Sequence, residues 1–473
     1  MDEYKFSEDL GGRVFCTKIS ELEERLDPLF YVAVKRIQEN IVSKAKFECV
    51  DLIKTCTINR GRFGHRPRND PRFYGGKYPF IQTGDIVKAA DSNNSIEYTQ
   101  TLNELGLKTS KLFKPPKLLF TIAANIGDTA ILDYPSCFPD SIVSLVPKNK
   151  KLSLEYLNVY LTLIKPYIIE LAPYSAQRNL NNQQLAQVPV VIPPKDIQDI
   201  IISKMEMIYS EKKQKEAEAQ QLLDSIDDYL LAELGIELPE QDENIVQNRI
   251  FTRRLSEVSG TRFDPNFNIK IKLIHEQKAK YECKKLKDLI KISPQYGANE
   301  GAVECNSDSD AVRYIRITDI NVIGELKNSS WKTAENIEEQ YLLNFNDLLF
   351  ARSGSVGRAY LHKNTNKKAI FAGYLIRFLI DDTKANPDYI FYYCHSIIYK
   401  IWVEAIYRPA VQANINAEEY KSLPIVLPPL QEQLKMANHI AQIRNQAKQL
   451  QHQAITGLEQ AKKEVVAMII GDA

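Results

Sequence analysis

The 473-residue chain contains no apolar run approaching the ~20 residues that a bilayer-spanning helix needs, so no membrane segment is expected. Its first residues, "MDEYKFSEDLGG", lack the basic and apolar regions of a signal peptide. There is almost no charge imbalance: the formal net charge is +1. Bulk electrostatics therefore point to no polyanionic partner, and any nucleic-acid surface has to come from local clustering of charge. The seven cysteines are odd in number and form no CxxC pair, which argues against a disulfide framework or a zinc site and for a reducing, cytoplasmic setting. The six histidines show no metal-ligand spacing. No GxxxxGK[ST] phosphate loop exists, so NTP hydrolysis is not expected.

What the chain does have is repetition. A length of 473 residues allows roughly three domains at ~150 residues each, and 44% hydrophobic residues can bury real cores. "VPVVIPPKDIQ" from Val188 and "LPIVLPPLQEQ" from Leu423 align at an offset of 235, pairing Pro193-Pro194 with Pro428-Pro429 and Gln198 with Gln433. "RVFCTKISEL" from Arg13 matches "RIFTRRLSEV" from Arg249, and "RLDPLF" from Arg25 matches "RFDPNF" from Arg262. "FIQTGDI" from Phe80 matches "YIRITDI" from Tyr314, "LLFTIAANIG" from Leu118 matches "LLFARSGSVG" from Leu348, and "QRNLNNQQ" from Gln177 matches "QANINAEE" from Gln412. Several matches in one order at nearly one offset are the mark of two homologous halves, and the period is far too long for a solenoid.

Each half opens with a mixed globular region. β-rich runs such as "VRYIRI" and "LLFTIA" alternate with turn residues, and helical stretches such as "LEYLNVYLTLI" intervene. Then comes the Pro-Pro phrase. Proline suits the first turn of a helix and not its interior, so the double proline should end an extended segment and start a helix. The two helices should be long. In the second half, apolar or small residues recur at Met436, Ile440, Ile443, Ala447, Leu450, Ala454, Gly457, Ala461 and Met468; in the first, at Ile201, Met205, Ile208, Ala219, Leu222, Ile226, Leu230 and Leu234, with Lys212 and Lys215 weakening the middle. Alternating spacings of four and three make a heptad seam. Each helix either packs on its own domain or pairs with the other; repeated halves related by pseudo-two-fold symmetry would run the pair antiparallel, as a stalk with a globular unit at each end.

The densest chemistry is "NRGRFGHRPRNDPRFYGGKYPF", from Asn59. It holds Arg60, Arg62, Arg66, Arg68, Arg72 and Lys77, with Phe63, His65, Phe73, Tyr74 and Tyr78 interleaved. Glycine and proline make it a loop. Guanidinium forks fit phosphates and the O6/N7 edge of guanine, and aromatic rings can stack on bases. A solvated basic loop, or one meeting an acidic protein surface, would look the same. The second half does not repeat this loop: its counterpart, "SPQYGANEGAVECNSDSDAVRYIR", is acidic until Arg313. Candidates there are Arg313, Arg316, Arg352, Arg358 and Arg408, on or beside predicted strands. Gln82 aligns with Arg316, Asn125 with Ser355, and Gln177, followed by Arg178, with Gln412. Amides and guanidiniums make paired hydrogen bonds to base edges, and of this set more should touch phosphates than bases. If both halves bind DNA, they should read different sequences. "SGSVGR" from Ser353 could cradle a phosphate, but its counterpart "AANIG" has one glycine fewer, so a strand-end turn is expected.

This arrangement resembles the specificity subunit of type I restriction-modification enzymes over essentially the full chain. The resemblance rests on two variable regions, each opening near "RLDP" or "RFDP" and ending in P-x-V-x-P-P before a long helix. It implies an α+β architecture: two repeated α/β target recognition domains joined by a pair of long antiparallel helices. The implied segments are an N-terminal segment (1–24), a first recognition domain (25–192), a central helix (193–235), a connector repeating the N-terminal segment (236–261), a second recognition domain (262–427) and a C-terminal helix (428–473). The implied function is sequence-specific binding of double-stranded DNA at a bipartite, asymmetric target, with docking of two methyltransferase (M) subunits and of restriction (R) subunits. It implies no active site in this chain, with S-adenosylmethionine, ATP and magnesium on the partner subunits. The residues agree: "DPLF" at Asp27, "DPRF" at Asp70 and "DPNF" at Asp264 only loosely match the [DN]PP[YF] motif of adenine methyltransferases, because Leu, Arg or Asn stands where the second proline belongs. Two other readings fit the repeat and the helices: a coiled-coil scaffold carrying two protein-binding modules, and a specificity module of another DNA-modification system.

Overall fold

The computed structural model describes residues 28–64, 69–93, 95–172, 179–238, 252, 254, 265–275, 278–305, 310–327, 331–364, 366–406 and 414–471. The chain divides into two compact units, the first formed by Met1–Ala217 with Leu450–Ala473, the second by Glu218–Gln449.

In the first unit a helix starts at the proline of "RLDPLF" (Pro28–Ile37), where the missing N–H costs nothing. Eight strands follow: β1 (Glu48–Asp51), β2 (Cys56–Arg60), β3 (Tyr74–Phe80), β4 (Gln100–Leu102), β5 (Lys117–Thr121), β6 (Thr129–Leu132), β7 (Ile142–Pro147) and β8 (Pro189–Ile192). A four-stranded antiparallel sheet runs β2-β7-β5-β6, while β1 pairs with β8 and β3 with β4. The central strand β5 is covered on both faces. Leu118 and Phe120 enter one hydrophobic cluster and Leu119 another, because successive side chains of a strand point to opposite sides.

The second unit repeats this frame. A helix again starts at the proline of "RFDPNF" (Pro265–His275). The strands are β9 (Cys283–Lys285), β10 (Gln295–Tyr296), β11 (Ala302–Glu304), β12 (Arg313–Ile315), β13 (Lys332–Ala334), β14 (Asp347–Ala351), β15 (Ala359–Leu361), β16 (Ala369–Phe371), β17 (Leu375–Leu379) and β18 (Pro424–Val426). The sheet β10-β17-β14-β15 repeats β2-β7-β5-β6, and the pair β9–β18 repeats β1–β8. Leu348 and Phe350 of β14 again face one cluster, Leu349 and Ala351 the other. The units differ between these shared parts. The first has the β3–β4 pair; the second has an antiparallel β11–β13 pair and a parallel β12–β16 pair. Mixed helix and strand content in two copies agrees with the α+β expectation.

The doubled phrase has a structural reason. β8 runs up to its two prolines and β18 stops one residue short of its pair, and a 40-residue helix follows each, Lys195–Leu234 and Leu430–Ile469. Gln198 and Gln433, both fully buried, brace the two helix starts. Gln198 Nε2 donates to the carbonyls of Pro193 (2.8 Å) and Lys151 (2.7 Å), and its Oε1 accepts from the Ser153 N–H (3.0 Å) and hydroxyl (3.1 Å). Gln433 Nε2 donates to the Pro428 carbonyl (2.7 Å), and its Oε1 accepts from the Asn386 N–H (2.8 Å). Ser153 and Asn386 are themselves the N-caps of the helices Leu154–Glu170 and Pro387–Tyr393. Each glutamine thus ties the start of a long helix to the start of a globular helix. Tyr156 and Tyr389 add a second tie, donating to the carbonyls of Val191 in β8 and Val426 in β18.

Parts of both long helices lie within each unit. In the first, Lys204 pairs with Glu464 at 2.5 Å, and Ile208 packs beside Gly457. Numbers rise along one helix as they fall along the other, so the two run antiparallel. In the second, the Tyr229 and His439 rings lie 4.3 Å apart, and Leu230 and Leu234 share a core with Met436 and Ile440. The expected seam holds at Met436, Ile440, Ile443, Ala447, Ala454 and Ala461, while Leu450, Gly457 and Met468 are only half-buried. Toward the C-terminal end it shifts, and Leu458, Val465 and Ile469 are buried instead. A straight helix at 3.6 residues per turn drifts off a 3.5-residue repeat, and the first unit's core meets the helix on the shifted face. Lys212, which interrupts the seam, pairs with Glu216 on its own helix at 2.8 Å.

Candidate nucleic-acid interface

The basic stretch is only partly a loop. β2 ends at Arg60, a 3₁₀ turn takes Pro71–Phe73, and β3 takes Tyr74–Phe80. For two of its aromatics the expectation of stacking on bases needs correction. Phe63 and Phe73 are buried with Phe80, Leu102 and Cys137, and the Phe63 and Phe80 rings lie 5.0 Å apart. They are the small core that the β3–β4 pair builds for itself. The cations remain outside. Arg60 and Arg62 are exposed, Arg60 donating through Nε to the Asp140 carbonyl (2.6 Å). Arg72 is exposed and paired to Asp70 at 2.6 Å; this hydrogen bond raises the guanidinium pKa further. Asp70 also caps the 3₁₀ turn by accepting the Arg72 N–H, so the aspartate of "DPRF" has a structural role. Lys77 (3.1 Å) and Tyr78 (2.9 Å) both reach Glu104, and the Tyr78 hydroxyl, then Lys77, hold that carboxyl below its usual range. His65, Arg66 and Arg68 lie outside the described residues, as do Gln177, Arg178, Arg408, Gln412, Asp27 and Asp264.

The aligned pair Gln82 and Arg316 occupies one structural position. Each precedes a helical turn, and each N–H donates to an aspartate three residues on, Asp85 (2.8 Å) and Asp319 (2.9 Å). The side chains diverge. Gln82 meets Gln100 across to β4; Arg316 forks onto Asp319 at 3.1 and 2.7 Å, which raises its pKa. Asn125 and Ser355 sit in the loops that join β5 to β6 and β14 to β15. These are strand-end turns, as expected. Ala124 (φ 63°) and Gly127 (φ 89°) in one match Gly354 (φ 70°) and Gly357 (φ 82°) in the other. Each turn is held from outside the sheet, Leu180 N–H donating to Ile122 O and Ile415 N–H to Arg352 O, both at 2.8 Å.

Arg313 is a correction. Its side chain is buried, its Nη2 donates to the Lys327 carbonyl (2.8 Å), its guanidinium lies 4.4 Å from the Trp331 ring, and burial lowers its pKa. It is spent inside the unit because the opening residue of β12, paired with Ala369 of β16, turns its side chain under Trp331 and onto the Lys327 carbonyl. Arg358 is also turned inward, donating to the carbonyls of Ile317 (3.4 Å) and Ile320 (2.7 Å). Arg352 is different: it lies over the Tyr296 ring, 4.9 Å from its centroid. Sequence reasoning passed over Tyr296. The signal was present, since Gly297 follows it as Gly61 follows Arg60. A Cβ on either glycine would collide with backbone, 2.2 Å from the Pro139 oxygen or 2.4 Å from the Ala372 oxygen.

Among the described residues no cluster of His, Cys, Asp or Glu could hold a metal, and no helix is long and apolar enough to cross a membrane. The profile of the type I restriction modification DNA specificity domain matches the chain twice, over residues 55–222 and 278–460. The specificity subunit of the type I restriction enzyme HindI from Haemophilus influenzae is 29% identical over 177 residues, which cover 35% of this chain and 36% of that protein. The chain thus spans about a third of the length of this curated relative. A solved chain of a type I R-M system shares the fold with a TM-score of 0.51 at 14% identity, over 90% of this chain and 98% of that one. The type I S subunit from M. genitalium aligns over 91% of this chain and 97% of its own, with a TM-score of 0.43 at 12% identity. With two copies of its domain spanning well over half of the sequence, the chain belongs to the type I restriction-modification DNA specificity family.

Proposed function

We propose that this chain reads a bipartite, asymmetric target on double-stranded DNA and docks two methyltransferase subunits and the restriction subunits of a type I complex, itself carrying no active site. S-adenosylmethionine, ATP and magnesium then act on the partners. One observation supports this reading above the others: the two units share a backbone frame and differ in the side chains at its strand ends. Arg60 and Ile122 in the first unit stand where Tyr296 and Arg352 stand in the second, and Gln82 stands where Arg316 does. A common frame with unlike readers is what two unlike half-targets require, because base edges are discriminated by the placement of donors and acceptors. Arg60, Arg62, Arg72 and Lys77 supply the phosphate-facing charge of the first unit. Each 40-residue helix is ~60 Å long at 1.5 Å per residue, against ~34 Å for one DNA turn, so helix length sets the number of unread base pairs.

The test is selection from random duplex DNA by the chain co-expressed with its neighbouring methyltransferase. Two unlike short motifs at a fixed gap are expected, and four residues inserted in the central helix after Gln198 should change that gap. No motif from an intact complex would instead favour a scaffold with protein-binding modules.

A further inference from the structure

Arg352 is the first residue past β14, at one end of the second unit's sheet. Its backbone is held on both sides, its N–H donating to Tyr374 O (2.9 Å) and its carbonyl accepting from Ile415 N–H (2.8 Å). The side chain lies on the Tyr296 ring, and that ring is anchored, its hydroxyl accepting the Ala417 N–H at 3.2 Å. Nε is buried without a hydrogen-bond partner, and no described residue accepts from the rest of the guanidinium. The other arginines around this sheet differ. Arg313, Arg316 and Arg358 are taken up by carbonyls or Asp319, and Arg377 by Asp347 at 3.1 Å. Among the described residues, the neighbours of Arg352 along the chain and across the sheet end leave room. Gly354 has nothing within 4 Å of where a Cβ would stand, and Tyr374 is 59% exposed.

A guanidinium that has already lost its rotamer freedom on an aromatic face, with its donors unspent, is preorganised for a planar pair of acceptors. In duplex DNA that pair is O6 and N7 of guanine in the major groove. We infer that Arg352, laid on Tyr296, reads a guanine in the half-target of the second unit. The inference rests on the proposed function and deepens it. Among the described residues the first unit has no equivalent reader. The matching registers put buried Ile122 at the place of Arg352, and Arg60, already donating to Asp140 O, at the place of Tyr296. The guanine contact is therefore confined to one of the two motifs.

The experiment compares the wild-type chain with Arg352→Ala and Arg352→Lys, each in the complex with the neighbouring methyltransferase, by selection from random duplex DNA. Titration of the recovered duplex and of versions with single base changes follows. The expected result is a motif pair in which both variants lose roughly 10- to 100-fold of discrimination at one guanine of one motif, with the other motif unchanged. Lysine keeps the charge and the aliphatic stem but not the fork, so it controls for folding and separates base reading from a phosphate contact. The inference is overturned if Arg352→Ala recovers the same motif pair with the same discrimination, or if binding weakens uniformly over all sequences. Full specificity in Arg352→Lys would overturn it too, marking a contact to phosphate. If the intact wild-type complex recovers no motif, the proposed function fails, and this inference with it.

Discussion

Removing the glutamine brace should unfold one unit at a time. Gln198→Ala would strip partners from the Lys151 and Pro193 carbonyls and from the N–H and hydroxyl of Ser153. Gln433→Ala would strip them from the Pro428 carbonyl and the Asn386 N–H. A buried polar group left unpaired costs about 1–3 kcal/mol, and a water entering the vacated space recovers part of it. About 3–5 kcal/mol is therefore expected for Gln198→Ala and about 2–4 kcal/mol for Gln433→Ala. The assay is urea unfolding of the full chain, followed by circular dichroism and by tryptophan fluorescence. Both tryptophans, Trp331 and Trp402, lie in the second unit, so Gln433→Ala should move the fluorescence transition and Gln198→Ala chiefly the dichroism. A loss below ~1 kcal/mol for either variant, or a fluorescence transition that moves as far in Gln198→Ala as in Gln433→Ala, would refute the reasoning.

Arg60, Arg62 and Arg66 replaced together by alanine should weaken DNA binding and reduce the slope of log K against log salt by about 0.9 for each phosphate no longer neutralised; an unchanged slope removes the stretch from the interface. Burial, reinforced by Arg444 and Lys400, lowers the pKa of His395 to about 4, while its Nδ1 donates to the Phe391 carbonyl. The unfolded ring titrates near 6.5, so the neutral ring contributes fully above that pH, and the contribution is lost as pH falls toward 4, by up to ~1.4 kcal/mol per pH unit. Urea midpoints read by tryptophan fluorescence should fall over that window in the wild type and less so in His395→Asn; equal slopes would count against the assignment. Ala124→Gly should stabilise the first unit by about 0.5–1 kcal/mol, because alanine is strained at φ 63° and glycine is not; a lowered urea midpoint would contradict this.

Local chain chemistry was enough to make the repeat, the strand-to-helix phrase and the long helices legible. Proline suits the first turn of a helix better than its interior, and short apolar, β-prone runs such as "LLFTIA" bounded by turn residues read as strands whichever fold surrounds them. The strand-end turn was readable for the same reason, since positive φ leaves its trace as glycine at Gly127, Gly354 and Gly357. What the letters could not say was which side of the chain faces a neighbour. Phe63 and Phe73 look like base-stacking rings until β3 and β4 close over them. Arg313 and Arg352 are equally basic on paper. One is buried against Trp331; the other, with no acceptor among the described residues, lies on a tyrosine fifty-six residues away in sequence. Gln198 and Gln433 were visible only as matching letters, because their partners, Ser153 and Asn386, come from another helix start. Periodicity and turn preference act through the backbone and its nearest residues, so one sequence carries them. Burial and the pairing of donors with acceptors depend on segments brought together from far along the chain, and only tertiary packing decides them.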